Sequence, residues 1–183
     1  MSESAKYLHL TRPYLQGNGI DCGSGSWPVI PSAIQVELPR DRFKAYTSRD
    51  LPDHVEWPGD IMDLPFKDNV LDYVYSSHLI EDFSREPLPD RPHMPTWPKL
   101  FKEWKRVLKP DGYMVIIVPE VARWKRTIEL GQAPNCAHWA PEPSLGDCTR
   151  IATEAGFLVL FERLTDLDPR DYSILMVAIK PRE

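Results

Sequence analysis

A continuous apolar run from Tyr113 to Val118 constrains the fold of this chain more than any other segment. Five of its six residues are aliphatic or β-branched side chains or methionine, without polar alternation, which is typical of a strand buried on both faces. Such a strand needs helices on both sides of its sheet, and a one-faced helical pattern precedes it from Trp97 to Leu108. The run therefore predicts an α/β fold with helices on both faces of a mostly parallel sheet.

Shorter segments extend this sheet along the chain. Ser144, with Asp147 three residues later, predicts the start of a helix that ends before Gly156. A short helix is predicted near 48–54, and a long substrate-side loop is predicted over 119–143. We expect one domain over residues 1–183, closed by a β-hairpin whose last strand is antiparallel. The predicted strands are 19–22, 33–38, a short third strand whose end and exit loop lie at 57–66, then 70–77, 113–118, 157–164 and 173–180.

The link between the first two strands is unusual for such a fold. Residues 26–32 contain Pro28 and Pro31, so the segment is too short and too proline-broken for a normal crossover helix. We therefore expect the first crossover to be reduced to a turn.

Composition excludes several classes of protein. The net charge of −5 gives no basic signature, so binding to nucleic acid is not expected, and no 18-residue apolar run or signal-like N-terminus indicates a membrane. Cys22, Cys136 and Cys148 are an odd number at irregular spacing, which favours a reducing, cytoplasmic setting. These cysteines and His138 form no closed four-ligand pattern, so no metal site is predicted.

A glycine loop and two acids carry the strongest functional signal. Gly23 and Gly25 follow the first strand, where open α/β sheets bind nucleotides and where a missing side chain lets a ligand approach the backbone. Glu37 ends the second strand and can accept both hydroxyl hydrogens of a ribose. Asp60 ends the third strand and can accept from an adenine amino group, with Ile61 flanking the ring. The three strand ends together predict a nucleoside-containing cofactor.

Two cofactors fit such a site. A dinucleotide needs a third glycine and a helix N-terminus for its pyrophosphate, but Pro28 occupies the place of that glycine. S-adenosylmethionine carries no phosphate and does not need that helix. The loop therefore favours S-adenosylmethionine over NAD, while an NAD-dependent oxidoreductase remains an alternative.

These motifs resemble those of class I S-adenosylmethionine-dependent methyltransferases of the type 11 group. The resemblance runs from about Tyr14 to Lys180 and implies a Rossmann-like sheet of seven strands whose last strand is antiparallel. The similar stretches are Gly19–Gly25, Val36–Leu38, Gly59–Val74, Ser76–Asp82 and Arg106–Gly112.

The resemblance implies a role for each matching residue. Asp21 orients the loop and the methionine amino end, Gly23 and Gly25 admit the methionine portion, and Glu37 holds the ribose. The remaining assignments are Asp60 and Ile61 to the adenine, and Ser77 and His78 to the region beside the methyl group.

The chain also departs from the family. Only about 15 residues precede the first strand, so the N-terminal helices that often enclose the substrate are largely missing. This predicts an open site that a partner protein or a second copy completes, or a degenerate cofactor-binding module that acts through a partner. Asp82 stands where the family often has histidine.

Three residues are candidates for acceptor chemistry. His78 follows a strand end and is either a general base or a helix-start histidine bonded to backbone. Glu120 follows the apolar strand and either faces the acceptor or is a solvated loop acid. His138, beside Trp139, either covers the substrate or anchors the loop.

The acceptor itself is weakly specified. Ser76-Ser77-His78-Leu79 is not the Asn/Asp-Pro-Pro-aromatic motif of amino-directed DNA methyltransferases, and no Pro-Cys pair supplies a cytosine-C5 nucleophile. Trp124-Lys125-Arg126 is a small basic patch that we interpret as a solvated helix face rather than a nucleic-acid reader. We therefore expect a small-molecule acceptor.

Overall fold

The computed structural model describes most of the chain, and every structural statement below concerns that part. The described residues are 3–25, 30–41, 57–92, 94–133, 142–167 and 171–182, with Lys44, Asp50, Asp53, Val55, His138 and Trp139. The predicted helix at 48–54 therefore lies outside the described residues except for Asp50 and Asp53. Cys136 lies outside them as well.

One seven-stranded sheet organises the molecule, in the order β3-β2-β1-β4-β5-β7-β6. β7 is antiparallel to β5 and β6, and the other neighbouring pairs are parallel. The predicted mixed sheet with an antiparallel last strand is confirmed. The strands are β1 (Gly19–Cys22), β2 (Ile34–Glu37), β3 (Trp57–Pro58), β4 (Leu71–Ser77), β5 (Leu108–Pro119), β6 (Leu158–Leu164) and β7 (Ser173–Ile179).

Helices cover both faces of this sheet, as predicted. The α-helices are α1 (Glu3–Lys6), α2 (Leu8–Thr11), α3 (Trp97–Val107), α4 (Val121–Glu129) and α5 (Asp147–Glu154). On one face, buried side chains of α3 and α5 pack with the apolar side chains of β4 and β5. On the other face, Tyr7 and Leu10 of the N-terminal segment pack near Tyr73 and Tyr75. No helix among the described residues is long and apolar enough to cross a membrane.

The central strand is longer than its apolar run. Residues 114–118 are fully buried, as predicted, but β5 begins at Leu108 rather than at Tyr113 and includes Pro110-Asp111-Gly112, a sequence that is typical of a turn. The reason is pairing with the end of β7, since Asp111 donates its backbone N–H to Lys180 and Lys180 donates its own to Gly112. Backbone pairing across the sheet therefore overrides the Pro-Asp-Gly turn signal.

Two helix predictions need correction. The predicted loop over 119–143 contains α4, because Trp124 and Thr127 bury one face of a helix whose first turn Glu120 caps. The last helix begins at Asp147 rather than at Ser144, with Gly146 at the N-cap. The Asp147 carboxylate still accepts the Ser144 backbone N–H at 2.8 Å, so half of the predicted capping box forms.

The first crossover contains no helix in its described part. Residues 23–25 and 30–33 form turns, and 26–29 lie outside the described residues. This agrees with the proline-broken link that the sequence predicts.

Arg106 on α3 ties the segment after β3 to the helix. Its guanidinium donates to the carbonyls of Leu64 (3.1 Å) and Phe66 (2.7 Å) and to the carboxylates of Glu103 and Asp68. These bonds raise the pKa of Arg106 further above its ordinary value. The planar Arg106 guanidinium therefore fixes the position of residues 64–68, which follow Asp60 in the chain.

We expect Arg106→Lys to lower the free energy of unfolding by about 1–3 kcal/mol, because one ammonium cannot reach both carbonyls and both carboxylates. Urea unfolding measures this change. The matched control is Arg126→Lys on the exposed side of α4, which should alter stability by less than about 0.5 kcal/mol. Equal effects of the two substitutions would contradict this role for Arg106.

Candidate functional site

The carboxyl ends of β1, β2 and β3 lie side by side and are bonded to one another. Gly23 donates its backbone N–H to Val36, and Gly59 donates to Glu37, both at 2.9 Å. The glycine loop, Glu37 and the turn before Asp60 therefore lie at one edge of the sheet, as the sequence predicts.

Glu37 is held from within the glycine loop. Its side chain is buried, and its two carboxylate oxygens accept the backbone N–H groups of Gly25 at 3.0 Å and Leu38 at 2.9 Å. Each oxygen retains a lone pair for a further donor, such as a ribose hydroxyl. Burial raises the pKa of Glu37, and the two backbone hydrogen bonds offset part of that rise.

The raised pKa makes a testable prediction about stability. The folded chain holds the Glu37 proton more tightly than the unfolded chain, so the charged side chain costs stability as pH rises through the ordinary and then the raised pKa. We expect Glu37→Gln to gain stability relative to the natural chain between acidic and neutral pH. Thermal unfolding of both proteins across that range measures the difference, and a constant difference would contradict the buried, charged Glu37.

The two glycines of the loop adopt backbone angles that side chains disfavour. Gly23 has φ of 75° and Gly25 has φ of 59°. A Cβ atom at Gly23 would lie 3.0 Å from the Leu79 side chain, whereas one at Gly25 would meet nothing within 4 Å. The space beside Gly25 is therefore open to a ligand.

Asp60 and Ile61 form the turn after β3. Asp60 is exposed, and its carboxylate accepts the Met62 backbone N–H at 2.8 Å while its carbonyl accepts from Asp63. Ile61 is half-buried against the main apolar core. The turn presents a carboxylate beside an apolar side chain, which suits a flat polar ring such as adenine.

The end of β4 lies next to the glycine loop. Cys22 pairs with Ser76 in the β1–β4 register, so Ser77 and His78 follow directly beside the loop. Asp21 and Ser77 are both buried there. Burial, followed by the charges of Asp21 and Glu37, raises the pKa of Cys22, so its thiol stays protonated.

His78 has both ring nitrogens near protein groups. Nδ1 lies 3.4 Å from Glu81 Oε1, and Nε2 lies 3.3 Å from Ser173 Oγ. Its backbone has φ of 53° and donates to Ile117, so the residue leaves β4 in a left-handed conformation. The ring therefore contacts side chains, and only its backbone N–H bonds to backbone.

Glu81 joins His78 to the loop that contains His138. His138 Nε2 lies 3.8 Å from the same Glu81 oxygen, and His138 Nδ1 lies 3.3 Å from Glu142 Oε1. Trp139 donates its backbone N–H to the Glu81 carbonyl at 2.8 Å. The His138 ring also packs against Trp124 at 4.9 Å between centroids, so His138 lies in a packed cluster beside the β4 exit.

Glu120 caps α4. Its Oε2 accepts the Arg123 backbone N–H at 2.8 Å, and its own backbone N–H donates to Tyr172. The side chain is half-buried rather than fully solvated. Glu120 therefore lies at the predicted strand end, where one of its oxygens is occupied by the helix.

Several residues of this cluster were not predicted from the sequence. Glu81 follows His78 at a three-residue spacing, and Ser173 begins the antiparallel strand at this edge, so local signals existed for both. Tyr7 had none, because its hydroxyl reaches Asp171 and Ser173 across more than 160 residues of chain.

The family comparison agrees with this geometry. Residues 35–116 match the family model described as "Methyltransferase domain". This segment begins in β2 and ends in β5, so it contains Glu37, Asp60, Ser77 and His78. Residues 35–116 are therefore similar to a methyltransferase domain, and methyltransferases of known structure share the fold of the chain.

Solved structures share the fold of this chain over nearly its whole length. A SAM-dependent methyltransferase from Methanosarcina mazei is 18% identical with a TM-score of 0.63, over 95% of this chain and 98% of its own. One from Archaeoglobus fulgidus is 17% identical with a TM-score of 0.65, over 97% and 93%. The complex between the Haloferax volcanii methyltransferase activator Trm112 and its candidate methyltransferase matches at 17% identity and a TM-score of 0.60, over 98% and 90%.

No curated protein sequence matches this chain. The similar structures from Methanosarcina mazei and Archaeoglobus fulgidus are described as SAM-dependent, in line with the preference for S-adenosylmethionine over NAD that the glycine loop indicates. Neither the NAD-dependent oxidoreductase nor the degenerate module receives support from these findings. Within the described residues, no group of three or more histidine, cysteine or acidic side chains could hold a metal ion.

Proposed function

We propose that this chain is an S-adenosylmethionine-dependent methyltransferase that transfers the cofactor's methyl group to a small-molecule acceptor bound beside His78 and Glu81. One observation carries the proposal: the buried Glu81 carboxylate lies between two histidines, directly after the strand that adjoins the glycine loop. Titratable groups so close to a methyl donor suit an acceptor that must be oriented and relieved of a proton.

The cofactor fits the residues at the ends of β1 to β4. Glu37 accepts the ribose hydroxyls, with its orientation fixed by Gly25 and Leu38. The open space at Gly25 and the nearby buried Asp21 accommodate the methionine portion. The adenine lies between Asp60 and Ile61, and Ser77 lines the methyl side.

The acceptor side belongs to His78, Glu81, Glu120 and His138. When bound, S-adenosylmethionine supplies an electrophilic methyl carbon, and transfer to an acceptor is an in-line displacement that depends on positioning and on excluding water. Glu81 Oε2 is buried and has no hydrogen-bond partner among the described residues. A donor group of the acceptor satisfies that oxygen.

A protein partner or a second copy completes the open side of this site. The Haloferax volcanii complex with the activator Trm112 is a related fold with a partner bound, and it supports this part of the proposal.

Transfer of a labelled methyl group tests the proposed function. The protein is incubated with methyl-labelled S-adenosylmethionine and a small-molecule metabolite extract, and label is followed by mass spectrometry. We expect label on a small molecule with the natural chain, and at least about tenfold less with Glu81→Gln. Label that stays on the cofactor across broad extracts, while the cofactor binds normally, would contradict the proposal.

A further inference from the structure

A buried chain of polar contacts runs from the C-terminal strand to His78. The Tyr7 hydroxyl lies 2.8 Å from Asp171 Oδ1 and 2.9 Å from Ser173 Oγ. Ser173 Oγ in turn lies 3.3 Å from His78 Nε2, and His78 Nδ1 lies 3.4 Å from Glu81 Oε1. Five side chains from three parts of the chain thus form one continuous series.

The protonation of Asp171 sets the direction of the series. Burial by itself raises the pKa of Asp171, but hydrogen bonds from Thr165, the Leu167 backbone, Tyr7 and the Ser173 backbone outweigh it and lower the pKa. An ionised carboxylate only accepts hydrogen bonds, and a tyrosine hydroxyl has one proton. That proton of Tyr7 therefore points to Asp171.

The direction of the Asp171–Tyr7 hydrogen bond then fixes which atom donates and which accepts in each following contact. Because the Tyr7 proton points to Asp171, the Tyr7 oxygen accepts the proton of the Ser173 hydroxyl. Because that proton points to Tyr7, the Ser173 oxygen accepts from His78, which requires a proton on Nε2. We infer that Tyr7 and Ser173 are positioning residues that hold the His78 proton on Nε2 and turn Nδ1 towards Glu81.

This arrangement assigns different tasks to the two ring nitrogens. Nε2 is occupied by Ser173 and does not take a proton from an acceptor. Nδ1 and Glu81 Oε1 share one proton between them, since two bare acceptors at that distance would repel each other. The other groups around the pair are the Tyr172 ring beside His78, and His138 with Glu142 beyond Glu81.

The consequence for catalysis rests on the proposed function. If methyl transfer occurs beside His78, the groups that exchange protons there are His78 Nδ1 and Glu81. Tyr7 positions them through Ser173. Tyr7 is fully buried, and Phe keeps its ring while removing the hydroxyl. Tyr7→Phe therefore lets the Ser173 hydroxyl become the donor to His78 instead of the acceptor, with little change in packing.

Nitrogen-15 NMR of the histidine rings tests the inference without any acceptor. In the natural chain we expect His78 Nε2 to have the nitrogen-15 chemical shift of a protonated nitrogen under all conditions in which the protein is folded. In Tyr7→Phe the Ser173 hydroxyl can turn and donate to His78, so we expect Nε2 to release its proton to solvent and become unprotonated, while the proton between Nδ1 and Glu81 stays. His78→Gln assigns the resonance, and Tyr14→Phe, whose ring packs against Tyr113 and Phe161, should leave it unchanged.

Ser173→Ala provides a second variant should Tyr7→Phe not fold. It removes the acceptor at Nε2, so we expect the proton on Nδ1 there as well. An unprotonated Nε2 in the natural chain, or an unchanged tautomer in the folded variants, would overturn the inference.

Calorimetry with S-adenosylmethionine on the same samples should give unchanged affinity, so a failure of the tautomer prediction is distinct from a failure of cofactor binding. Once label transfer has identified an acceptor, Tyr7→Phe should lower kcat by at least about tenfold with an unchanged KM for the cofactor.

Discussion

Replacing Glu37 with alanine is expected to weaken S-adenosylmethionine binding by roughly 10- to 100-fold, or about 1.4–2.7 kcal/mol. The change removes the carboxylate acceptor for the ribose hydroxyls. It also leaves the backbone N–H groups of Gly25 and Leu38 without their present partner, so the glycine loop loses its anchor. Isothermal titration calorimetry measures the affinity directly.

Two further substitutions separate these contributions. Glu37→Gln keeps one acceptor oxygen and should lose less affinity than alanine. Glu129→Ala removes an exposed acid on α4, far along the chain from the loop, and should leave the affinity unchanged. Unaltered binding in Glu37→Ala would place the ribose elsewhere in the molecule.

Replacing Trp97 with alanine should have the largest effect on stability, about 3–5 kcal/mol of the free energy of unfolding. Trp97 begins α3, is fully buried and packs against Phe101 at 5.9 Å between ring centroids. Its indole N–H donates to the Ile80 carbonyl at 2.6 Å, so the substitution also loosens the turn that carries Glu81. Urea unfolding measures the change.

Trp139→Ala is the matched control, because Trp139 is 36% exposed. It should change stability by no more than about 0.5 kcal/mol. Trp97→Phe keeps an aromatic ring and should lose less than alanine, mainly the bond to Ile80 and part of the buried surface. A loss below about 1 kcal/mol in Trp97→Ala would show that the α3 core is not packed as described.

Much of the fold could be predicted because its signals are local. The apolar residues of β5 need burial on both faces, and Gly23 and Gly25 need left-handed backbone angles. Gly156 ends α5 with φ of 83°, as its position in the sequence indicates. These features depend on neighbours a few residues away.

The errors arise where distant parts of the chain decide the structure. Strand β5 begins before its predicted start at Tyr113 because Asp111 and Gly112 pair with Lys180, and α4 forms where Trp124 can pack against Tyr172 and His138. The contacts of Tyr7 with Asp171 and Ser173 join the two ends of the chain. No spacing rule reveals such contacts before the sheet order is known.

S-adenosylmethionine is expected to bind at the carboxyl ends of β1 to β4. Calorimetric titration of the natural chain with S-adenosylmethionine, S-adenosylhomocysteine and NAD in separate runs tests it most directly. We expect the first two ligands to bind at one shared site, to compete with each other and to weaken together in Glu37→Ala, while NAD gives no binding heat. Binding of NAD alone, or no binding of S-adenosylmethionine by calorimetry or by competition with S-adenosylhomocysteine, would contradict it.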